Sequence, residues 1–151
     1  MRAMLGMAAV FLAAGGLATA QDKKDPPKLD GSYLIVALEM GGEKLPADLI
    51  DKAPEADRTI SIKGDKLIAN KSGKEDSITI KLDPSKTPAQ ITTTENKNGK
   101  TETSYGIYKL DGDTLVICMV EGGKEADRPK EFKTSKESKA ILMTLKKKKD
   151  K

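Results

Sequence analysis

The chain has no histidine, no tryptophan, one cysteine and only 3% aromatic residues over its 151 positions. Without histidine there is no imidazole to act as general base, triad member or metal ligand. A single cysteine, Cys118, closes no disulfide within the chain and builds no thiolate zinc cluster. So few rings provide no platform on which bases stack. A dominant charge of one sign is also missing. The 27 lysines and arginines face 23 aspartates and glutamates, for a formal net charge of +4. Both signs are interspersed along the chain, a pattern of solubility rather than of nucleic-acid binding. The expectation is a protein that is not an enzyme, with no cofactor, no metal and no nucleic-acid partner.

Long apolar runs are lacking except at the start. Met1-Arg2 gives a short positive beginning, Ala3 to Leu17 is apolar or small, and Ala18-Thr19-Ala20 fits a small-x-small cleavage site. Residues 1–20 therefore read as a signal peptide, which predicts export to the periplasm or medium and a mature start at Gln21. The run is too short to span a bilayer comfortably and no second one follows, so no transmembrane segment is expected after cleavage. Residues 21–28, with Pro26-Pro27 and alternating charge, read as a flexible leader. In the rest, Leu, Ile, Val and Phe make up roughly a fifth, the lower limit for a folded chain. Balanced charge separates it from disordered sequences. Residues 29–146 are read as one small domain with a modest core, and 147–151 as a basic tail.

That domain is a series of short apolar alternations between turn residues. Ser32–Leu38 is apolar on both faces, as in a strand covered on both sides or one that begins inside and ends at a rim. Pro46 to Ala53 fits one short helix, with Pro46 in its first turn and Pro54 as its stop. Strands are then expected at Thr59–Lys63, Lys66–Asn70, Asp76–Leu82, Ala89–Thr94, Thr101–Leu110 and Thr114–Val120, around Phe132, and at Ala140–Leu145. Asn98-Gly99 is the strongest hairpin turn, because both positions tolerate positive φ. Short connections make sequence neighbours pair antiparallel, and such a meander hides its edges by closing. The predicted fold is all-β, a barrel of about eight strands with one short helix near residues 46–53. A two-sheet β-sandwich is the alternative.

Leu29-Asp30-Gly31-Ser32-Tyr33 resembles the lipocalin-type start, where a Gly-x-Trp packs across the closed end of a barrel, with Tyr33 in the tryptophan position. Together with Gly41–Pro46, Gly106–Cys118 and Arg128–Lys133, it is similar to a lipocalin-like domain family of exported planctomycete proteins. The resemblance covers nearly all of the chain after residue 20. It implies a lipocalin-like barrel with Tyr33 on its floor and an arginine over that ring, for which Arg128 is the candidate and Arg58 the other arginine after residue 20. It implies no activity, ligand or catalytic residue.

Other constellations have plain readings. Asp111-Gly112-Asp113 lacks the alternating oxygen ligands of a calcium loop and reads as a hairpin turn. Glu39, Glu43 and Asp48 read as a solvated rim. Cys118, between Ile117 and Met119, reads as a buried inert thiol. Tyr105 and Tyr108 are three apart and point to opposite strand faces, so at most one lines the interior. Two functions follow. One is a monomeric exported binder of a small apolar ligand in the barrel, with Tyr33 as the candidate floor contact. The other is a filled barrel that works through its surface on an envelope protein.

Overall fold

Alternating apolar residues between Gly, Asn and Asp turns give nine strands in the computed structural model, which describes residues 28–149. The strands are β1 (Gly31–Met40), β2 (Glu43–Lys44), β3 (Thr59–Lys63), β4 (Lys66–Lys71), β5 (Lys74–Asp83), β6 (Ala89–Lys97), β7 (Lys100–Asp111), β8 (Thr114–Val120) and β9 (Ala140–Lys147). Each of β3 to β8 pairs antiparallel with the next, and β1 pairs with both β3 and β9, which closes an eight-stranded ring. β2 lies outside the ring on the end of β1. The barrel expectation holds and the sandwich alternative falls, because the β1–β9 pairing removes the edges a sandwich would keep. The signal peptide, its cleavage site, most of the leader and the last two residues of the tail lie outside the described residues.

The short hairpins behave as their turn chemistry requires. Asn98 has φ 52° and Gly99 φ 79°, the left-handed pair expected between β6 and β7. The helix is trimmed to α1 (Ala47–Lys52), followed by a 3-10 turn at Glu55–Arg58. Prolines 46 and 54 bracket α1, each with a ψ that no helix continues. One expected strand does not form. Around Phe132 the chain is a loop, within the connection 121–139 that contains only a 3-10 turn at Glu125–Asp127. The ring is already complete with β9, so nothing remains for a ninth ring strand to pair with.

Two apolar clusters result. The interior cluster draws on all eight ring strands, with Tyr33, Ile62, Ile91, Leu115, Ile117 and Leu145 almost fully buried. A smaller one, Ile107, Cys118, Val120 and Ala140 with Phe132 and Leu142, lies on the outer face of β7, β8 and β9 beneath the 121–139 connection. β1, apolar on both faces, carries a register shift between Ile35 and Ala37, and Val36 at that point is 42% exposed.

Candidate functional site

The floor is built at the start of β1. Antiparallel order puts that start at the same end as the β3–β4, β5–β6 and β7–β8 turns. Tyr33 sits opposite Ile60 on β3 and Lys147 on β9, and its ring is buried in the interior cluster. Its hydroxyl donates to the Leu29 carbonyl at 2.9 Å, and Leu29 is itself buried. Residues 29–33 thus fold back on themselves as a plug. Burial pushes the Tyr33 phenol above its ordinary pKa, and the Asp30 and Asp113 carboxylates push the same way.

Tyr108 on β7 is the second ring inside the barrel. Its hydroxyl is buried and has no hydrogen-bond partner. Burial raises its pKa, with Asp83 adding to the effect. Toward the opposite end the inward row of β6 turns polar after Ile91, with buried Thr93 and then Glu95. Lys97 holds Glu95 at 3.1 Å and lies 3.6 Å from Glu102. The interior is therefore apolar at the floor and charged at the mouth.

The arginine does not follow the resemblance. Arg128 stacks on Tyr105, 5.2 Å from the ring centroid, on the outside of the barrel. The physical reason is the loop's path. The 121–139 connection crosses the outer wall, and there Arg128 meets three oxygens of β6 and β7. Its Nη1 donates to the carbonyls of Gly106 at 2.6 Å and Ile91 at 2.9 Å, and its Nη2 donates to Thr92 Oγ1 at 2.9 Å. Its side chain is 9% exposed, and Glu125, 3.9 Å away, is 76% exposed. Neutral oxygens rather than a buried carboxylate hold this cation. Its Nε is buried without a partner. Arg58 pairs instead with Asp51 at 3.1 Å, near α1.

Cys118 is fully buried, as expected, and belongs to the outer cluster rather than the interior. Its thiol donates to the Lys133 carbonyl at 3.6 Å. Burial raises its pKa above the contrary pull of that hydrogen bond, so it is held as the unreactive thiol. Glu39 accepts from Thr134 at 2.8 Å, while Glu43 and Asp48 are exposed. Asp111 and Asp113 are exposed in the β7–β8 turn. Among the described residues no group of three or more His, Cys, Asp or Glu is placed to hold a metal ion, and no helix is long and apolar enough to cross a membrane.

The sequence reading missed the Arg128 clasp. Its only signal was an arginine and a phenylalanine in a connection too long for a hairpin. No family model, curated protein or solved structure matches this chain.

Proposed function

We propose that this chain is an exported, non-catalytic, lipocalin-like monomer whose barrel is filled by its own side chains and which acts through its surface on an envelope protein. The observation that carries this reading is the continuous interior cluster, to which every ring strand contributes buried side chains, two tyrosines among them. An eight-stranded barrel is just wide enough for side chains to fill. Export rests on the reading of residues 1–20. The absence of an enzyme role rests on a sequence with no histidine and one buried thiol.

The second reading, a small apolar ligand inside the barrel above Tyr33, is favoured by one observation. The Tyr108 hydroxyl is buried without a partner, and a ligand acceptor would satisfy it. Titration of the protein with an apolar fluorescent probe, with native mass spectrometry of the purified protein, separates the two. The filled barrel gives no saturable uptake and a bare mass. Saturable uptake that Tyr108→Phe weakens would replace it with the ligand binder.

A further inference from the structure

The ring of strands closes without residues 121–139. β8 meets β9 from Thr114↔Lys146 to Val120↔Ala140, and β9 meets β1 from Ile141↔Met40 to Lys147↔Tyr33. No residue of 121–139 belongs to the interior cluster. This connection is held to the outer wall at a few points. Arg128 is bound to three oxygens of β6 and β7. Phe132 packs on the outer cluster, and Lys109 lies 4.7 Å from its ring centroid. Thr134 bridges Glu39 and the Gly42 amide. Ile107, Cys118, Val120 and Ala140 are buried on the wall it covers, and the connection shapes open grooves along its own residues. One groove of about 450 Å³ lies among Val120, Gly123, Asp127 and Glu137, and another of about 530 Å³ among Val120, Pro129, Thr134 and Ala140. At its far end Ser135 and Ser138 bond each other's amides, so that turn is closed within itself.

We propose that residues 121–139 form a strap that detaches as a unit from the closed barrel, and that its detachment uncovers Cys118 and the apolar wall of Ile107, Val120 and Ala140. Detachment breaks the contacts above, the hydrogen bond from the Cys118 thiol to the Lys133 carbonyl, and the burial of the outer cluster. Unfolding the barrel breaks every strand ladder and exposes the interior cluster. Local openings of this kind proceed at a fraction of the global free energy. Arg128 is the main clasp, because two backbone carbonyls and a threonine hydroxyl share its charge in a half-dry site. The strap's motion holds whether the barrel interior is filled or takes a ligand.

Cys118 is the single cysteine, so its modification reports the strap alone. The test is the rate of maleimide labelling of the full-length folded protein across a urea series, with the β-sheet circular dichroism followed in parallel. The expected result is a labelling rate that is flat at low urea and rises steeply only near the unfolding midpoint. Arg128→Ala and Phe132→Ala are expected to speed the low-urea rate by about tenfold or more, with little change in the midpoint. If Arg128→Ala does not fold, Thr134→Val gives the same readout with a smaller acceleration. Labelling that follows global unfolding at every urea concentration, in wild type and variants alike, would overturn the proposal.

Discussion

Tyr33 and Tyr108 are equally buried rings with opposite hydroxyl fates, and substitutions separate ring from hydroxyl. Tyr33→Ala removes the floor plug. Emptying an aromatic site in a core costs about 3–5 kcal/mol, a large share of the ~5–15 kcal/mol typical of a domain. A urea melt is expected to show a large fall in midpoint. An unchanged midpoint would take the ring out of the core. Tyr108→Phe has the opposite sign. A buried unsatisfied hydroxyl costs about 1–3 kcal/mol, so its removal is expected to raise the midpoint. Both phenols have folded pKa values above the ordinary value near 10. Their neutral forms are favoured in the fold, so their contribution is intact below pH ~10 and is lost as pH rises through the folded values. Stability measured from pH 9 upward is expected to fall more gently in Tyr108→Phe than in wild type. Parallel curves would show that this phenol ionises equally in both states.

At the scale of elements, β7 leaves no room for a side chain at Gly106, where it lies against β8. A Cβ on Gly106 would stand 2.6 Å from the Cys118 carbonyl oxygen and 2.7 Å from the Met119 Cβ. Backbone cannot give way as a side-chain tip does, so Gly106→Ala has to part the two strands. Overpacking of this kind costs about 1–3 kcal/mol, and thermal unfolding is expected at a lower temperature than for wild type. An equal melting temperature would mean that the strands part freely there. The two-residue β2 was not legible in the sequence. The eight ring strands were, because period-two alternation and turn residues are local signals. Bounds were less so, since β5 to β7 run on past their apolar stretches into polar residues that pair only because a neighbour is present. The error at Phe132 has the same root. Its apolar side chain marks burial, and the burial is that of a loop on a wall rather than of a strand in a sheet.

For the whole molecule, the ring closure is what turns eight strands into one interior core. β1 pairs with β9 across almost the entire chain, a contact of very long sequence separation. Removing residues 140–151 is therefore expected to abolish folding outright rather than lower the midpoint, as read by loss of the β-sheet circular dichroism. A folded, shortened protein would show that closure is dispensable. The expected processing also belongs to this scale. Intact mass of the exported protein is expected to correspond to a start at Gln21, and a mass that retains Met1–Ala20 would refute cleavage.

The sequence by itself determined what is local. It marked the all-β class, one short helix between two prolines, the Asn98-Gly99 turn, the burial of Cys118 and the opposite faces of Tyr105 and Tyr108. Each follows from alternation, φ preference or neighbouring side chains. Only the tertiary structure decided which pairs of distant residues meet. It chose the barrel over the sandwich through the β1–β9 pairing. It left β2 outside the ring. It sent Arg128 to Tyr105 and two outer-wall carbonyls instead of to Tyr33. It placed Cys118 under a strap rather than in the interior. An arginine fork takes whichever oxygens the path of its loop brings within reach, and no spacing along the chain encodes that path.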